Sequence, residues 1–103
     1  MGTTAEYFQQ MRQQADWMVP ADDRILEVVR NEGNMTPHAL SNEGEVSRVD
    51  ISRKYAGVRC RKLTEYGLLN RLDRGLFGIT DEGLAYLDEE LDASELEPVE
   101  SAE

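Results

Sequence analysis

Cysteine is nearly absent from this chain: Cys60 stands alone among 103 residues. One thiol excludes an intramolecular disulfide and a cysteine-rich zinc site, and it fits a reducing compartment. No apolar run approaches the ~20 residues that span a bilayer, and the N-terminus lacks a basic-then-apolar leader. A soluble, cytoplasmic protein without a membrane partner is therefore expected. Histidine is also single, His38, and neither a phosphate-cradling glycine loop nor metal-ligand spacing appears. The sequence thus predicts no enzyme, no cofactor and no metal site. Lysine is scarce too, with only Lys54 and Lys62.

What is abundant is negative charge: 21 Asp and Glu face 11 Lys and Arg, a net charge of −10. A carboxylate-rich, lysine-poor surface holds water and cations where concentrated salt would otherwise drive association. Against that background the cations cluster. Arg48, Arg53, Lys54, Arg59, Arg61, Lys62, Arg71 and Arg74 fall within one window, interrupted only by Asp50, Glu65 and Asp73. The window carries about +5 and the rest about −15. A positive face on an otherwise repelling body suits a protein that meets phosphates at one place.

The chain is long enough for one domain. Tyr7, Phe8, Met11, Ala15 and Met18 recur at spacings of three and four, so residues 1–19 are expected to hold an amphipathic helix, from Thr3 to Met18, for dimerisation. Pro20 opens a second helix with Asp22 and Asp23 in its first turn, where they complement the helix dipole, and Gly33 stops it. Thr36 and Pro37 start a short helix through Leu40. A linker from Glu45 to Asp50 precedes Ser52, the cap of a helix that runs to Tyr66 and stops at Gly67. Leu68–Leu72 and Leu76–Thr80 read as a hairpin around Asp73, Arg74 and Gly75. Thr80 caps a last helix from Asp81 to Leu91. Residues 92–103 are acidic, poor in core residues and expected to form a disordered tail.

Helix, helix, short helix, helix, hairpin, helix is the order of a winged helix-turn-helix. The expected fold is mainly α, a three-helix core plus a β-hairpin wing over residues 20–91, with flanking N- and C-terminal helices.

In the helix from Ser52 to Tyr66, Ala56, Cys60 and Leu63 make one inward stripe at 100° per residue. Lys54, Gly57, Val58, Arg61 and Lys62 then point away from the core. A face of cations and small groups suits entry into the ~12 Å major groove of double-stranded DNA. Arg61, with its planar fork, is the candidate for bidentate reading of guanine. Lys54 and Lys62 reach guanine or phosphate, Val58 suits a thymine methyl, and Gly57 allows close approach. Arg53 and Arg48 lie where the backbone would pass, and Tyr55 and Arg59 sit at the edge of the stripe. In the wing, Arg71 and Arg74 suit flanking phosphates or a narrow minor groove. Thr36 and His38 offer further backbone contacts.

The chain resembles the haloarchaeal winged-helix regulators related to the halophage phiH repressor. The likeness rests on Trp17-Met18-Val19-Pro20, Arg59-Cys60-Arg61, Leu63 with Gly67-Leu68-Leu69, and Thr80-Asp81-Glu82-Gly83, and it spans positions 17–91. It implies a transcriptional regulator, a repressor acting as a homodimer, in a halophilic archaeon. The competing reading from another class is a winged-helix module that binds protein and is kept off DNA by its acidic body.

Salt sets a constraint on the first reading. About six phosphate contacts lose roughly five decades of affinity per tenfold rise in salt. At molar salt, base-edge contacts or uptake of bridging cations must then carry the binding.

Overall fold

The computed structural model describes residues 12–99. Helix α1, Pro20–Glu32, opens on a proline whose missing N–H is one the first turn leaves unpaired anyway. Val19 before it is extended, as a residue preceding proline prefers. In place of a side-chain cap at Val19, the Asp22 carboxylate accepts the Val19 N–H at 3.1 Å. Ile25, Leu26 and Val29 bury one face, and Gly33, at φ +103°, ends the helix.

Helix α2, Pro37–Leu40, is capped by Thr36, whose Oγ1 accepts from the Ala39 N–H at 3.1 Å. The segment that follows is anchored rather than free. Val49 is buried, its N–H bonds to the Leu40 carbonyl, and the Asn42 N–H bonds to that of Ile51. Helix α3, Arg53–Glu65, starts where the Ser52 hydroxyl accepts the Tyr55 N–H at 3.1 Å. Ala56, Cys60 and Leu63 are fully buried along it, as the stripe predicts, and Gly67 follows at φ +82°.

The wing is an antiparallel pair, β1 (Leu69–Asp73) and β2 (Leu76–Ile79), with Leu69 opposite Ile79, Arg71 opposite Phe77 and a bulge between Arg71 and Asp73. Met35, between α1 and α2, exchanges two backbone hydrogen bonds of 2.9 Å with Phe77. That bridge ties the wing to the helical core. Helix α4, Asp81–Leu87, is capped by Thr80 on the Gly83 N–H at 3.0 Å. Gly83 is required by packing, since a Cβ there would meet the Leu68 carbonyl oxygen at 2.3 Å.

The flanks depart from expectation. Residues 12–18 are not helical; the rest of the expected helix, with Tyr7, Phe8 and Met11, lies outside the described residues. The segment instead forms a strap across its own domain. Arg12 donates to the Leu87 carbonyl at 3.0 Å, Gln13 bridges Asp92, and Ala15 is buried. These bonds to α4 and to the chain beyond it hold the strap out of a helix, with one turn in which the Met18 N–H bonds to the Ala15 carbonyl at 3.1 Å. Helix α4 stops at Leu87, four residues earlier than expected, and Glu89 turns the chain at φ +67°. Residues 92–99 are ordered as well: Ala93 opens a 3-10 turn, Ala93–Glu95, and is fully buried, and the Val99 N–H bonds to the Glu65 carbonyl. Leu91 and Leu96 pack on the core on either side of that turn.

Candidate nucleic-acid interface

Helix α3 presents Lys54, Val58, Arg61 and Glu65 at successive spacings of four, three and four, and all four are exposed. One row of side chains therefore runs along the helix away from the core. Arg53 and Tyr55 flank its start, both exposed. Val58 and Tyr55 are exposed apolar surface, 41% and 40%, available to base methyls and sugars. Arg71 and Arg74 stand exposed on the wing. Among the described residues, Arg53, Lys54, Arg61, Arg71 and Arg74 have no carboxylate within ion-pair distance. Their charges face solvent.

Two cations of the sequence cluster turn inward instead. Arg59 lays its fork on Asp22, Nε to Oδ1 at 2.9 Å and Nη2 to Oδ2 at 2.8 Å, and also donates to the Trp17 carbonyl at 3.0 Å. Asp22 is fully buried, so the pair crosses from α3 to the first turn of α1 in a low-dielectric setting. The Asp22 hydrogen bonds hold the Arg59 guanidinium above its ordinary pKa against the opposing effect of burial. Arg48 donates to Glu32 at 2.8 Å and to the Ala39 carbonyl at 3.1 Å. The positive face is therefore smaller than the positive window in the sequence.

Gly57 also differs from expectation. It is buried, and a Cβ there would lie 3.9 Å from the Pro37 Cβ and 3.4 Å from the Arg61 Nη1. It faces α2 at the helix crossing, inward of the exposed row rather than on it. Lys62 is half-buried, 3.8 Å from the Glu65 Oε1 and 5.6 Å from the centre of the Tyr66 ring. Thr36 uses its hydroxyl to cap α2, while His38 is exposed. A shallow cavity of about 260 Å³ opens beside Arg61, lined by Thr64, Glu65 and Val99.

Sequence reasoning missed Asp22 and Trp17 as partners of α3. Asp22 stood out only as a first-turn acid, and its partner lies 37 residues away. Asp23 has a second role of the same kind, accepting the Tyr86 hydroxyl at 2.7 Å. Cys60 is buried at the base of α3, and burial pushes its thiol up to about 12, which leaves no thiolate for attack near neutral pH. Among the described residues no group of three His, Cys, Asp or Glu could hold a metal, and no helix is long and apolar enough to cross a membrane.

Comparisons with known proteins identify the family. The repressor protein of Halobacterium phage phiH is 34% identical over 92 residues, covering 84% of this chain and 98% of that protein. The crystal structure of the PhiH1 repressor-like protein from Haloarcula marismortui matches with a TM-score of 0.75 at 40% identity, covering 85% of this chain and 97% of that one. The pattern of the winged helix-turn-helix phage repressor family matches residues 11–99, and the chain belongs to that family.

Proposed function

We propose that this DNA-binding repressor reads double-stranded DNA by placing α3 in the major groove. Lys54, Val58 and Arg61 would then face base edges, with Arg53, Tyr55 and Lys62 at the groove margin and Arg71 and Arg74 on flanking phosphates. The outward row carries this reading: its cations have no ion-pair partner among the described residues, whereas Arg48 and Arg59 turn inward onto carboxylates. Arg61 holds a fork able to take both guanine acceptors, a contact worth about 1–3 kcal/mol of discrimination. Gly57 has no base contact in this arrangement. The exposed apolar surface of Tyr55 and Val58 suits a thymine methyl and sugar edge, and the unpaired cations beside it favour the DNA reading over a protein-binding module.

A homodimer in the cytoplasm completes the proposal. Two recognition helices on half-sites about 10 base pairs apart require a two-fold contact. The strap and α4 are bonded to each other within one chain, so neither is free to supply that contact in the way the helical reading of residues 1–19 expects. Light scattering tests the dimer directly, and a monomer at working concentrations would remove it.

Selection of bound fragments from random DNA at high salt tests the major-groove reading. The intact chain should enrich one motif containing guanine, and the double variant Arg61→Ala, Lys62→Ala should lose that enrichment. An unchanged motif, or no enrichment by the intact chain, would overturn the proposal.

A further inference from the structure

We propose that Trp17 and Tyr66 are positioning residues that hold Lys62 for a DNA phosphate at the margin of the groove; this rests on the major-groove reading above. Lys62 lies 100° around α3 from Arg61, beside the reading row rather than on it. A side chain there meets the sugar-phosphate backbone more readily than a base edge. A lysine stem is flexible, and ordering it against a phosphate costs rotamer freedom. Here two contacts bias the stem toward one direction.

Tyr66 follows Lys62 by four residues and sits under its ammonium, 5.6 Å from ring centre to Nζ, within the range of cation–π attraction. The Glu65 carboxylate, 3.8 Å away, holds the same ammonium from a second side. Tyr66 is fixed in turn by Trp17, the one tryptophan of the chain. Their rings stack with centres 4.2 Å apart and planes 17° from parallel. Trp17 is held by its carbonyl, which accepts from Arg59 at 3.0 Å, and Arg59 is clamped on buried Asp22. An unbroken series of contacts thus runs from the core to Lys62, and it passes through the strap that precedes α1.

A thermodynamic cycle separates positioning from general stabilisation. Binding to the DNA fragment selected by the intact chain is measured by fluorescence anisotropy at one fixed salt concentration, with folding checked by circular dichroism. Trp17→Ala is expected to weaken binding by about two- to tenfold when Lys62 is present and by less than about twofold in a Lys62→Ala background. Tyr66→Leu should behave the same way, whereas Trp17→Phe and Tyr66→Phe, which keep a ring, should bind within about twofold of the parent. Should Trp17→Ala fail to fold, the pair Tyr66→Leu and Tyr66→Phe in both backgrounds decides alone. Equal weakening in the two backgrounds, or no weakening in either, overturns the proposal. Arg61→Ala and Lys62→Ala chains that bind as the parent does would instead overturn the major-groove reading on which it rests.

Discussion

Arg59 and Arg61 are the same residue two positions apart on one helix, and the fold gives them opposite work. Arg59 is clamped on buried Asp22 and on the Trp17 carbonyl. Arg61 is exposed, with no carboxylate in ion-pair reach among the described residues. Two residues on a helix are 200° apart, so neighbours in a charged run face different media. One arginine joins the helix to the core. The other is free to meet DNA. A cluster of charge in a sequence therefore overstates the charged surface, and the number of DNA contacts should be counted after the internal partners are removed.

The largest effect should come from breaking the inner side of this comparison. Arg59→Ala leaves the Asp22 carboxylate buried without its cation, with only the Val19 N–H beside it, a change that costs about 3–5 kcal/mol, read as a lower urea midpoint. Whatever fraction of that variant stays folded should keep the parent's base preference. Arg59→Lys keeps the charge but loses the fork, and should recover only part of the stability.

On the outer side, Arg71→Ala and Arg74→Ala should each make the slope of log affinity against log salt shallower by about 0.9, one phosphate each. The melting temperature should stay close to the parent's, because neither side chain has an internal ion pair. A change of base preference with either variant would move the wing arginines from phosphate holding to groove reading.

Alkaline titration probes the buried base of the same helix. The Cys60 thiol is raised from an ordinary value of 9.0 to about 12, first by burial. The folded chain therefore holds this proton more tightly than the unfolded chain. Stability from this group is full below pH 9.0 and falls as pH rises from there through about 12. Thermal melts across that range should show the loss, and Cys60→Ala should lessen it, the Tyr86 hydroxyl, also raised by burial and its bond to Asp23, keeping the remainder, while stability at neutral pH falls by the opening of a cavity. A thiol reagent should label Cys60 at neutral pH only when denaturant is present.

The smallest effect belongs to Gly57→Ala. The added methyl finds ordinary contact distances to Pro37 and Arg61, so it should raise stability by up to about 1 kcal/mol through helix propensity. A loss of DNA binding without a loss of fold would restore the close-approach role for this glycine.

The parts of the fold that were legible in the sequence rest on local chemistry. Thr36, Ser52 and Thr80 each cap a helix by accepting an N–H three residues on, and such bonds need no knowledge of the rest of the chain. The Ala56, Cys60, Leu63 stripe follows from helical period alone, and Arg74-Gly75 from turn chemistry. What was not legible depends on residues far apart. Asp22 and Arg59 are separated by 37 positions, and nothing in either neighbourhood names the other. The strap reads as helix because Ala15 and Met18 keep helical spacing, yet the Gln13 backbone is taken by Asp92 and Ala93 and the Arg12 side chain by the Leu87 carbonyl. Gly57 was read on the outward face because a 100° wheel marks only one buried stripe, whereas α2 lies against a second side of α3.

The outward placement of Arg61 is tested most directly by one paired measurement on Arg61→Ala: affinity for the DNA fragment that the intact chain selects, and the urea midpoint of the same preparation. Binding should weaken by at least about fivefold, with a midpoint shift that corresponds to less than about 0.5 kcal/mol. Parental affinity in a folded Arg61→Ala chain would contradict the division between an inner arginine that builds the helix-turn-helix and an outer one that reads DNA.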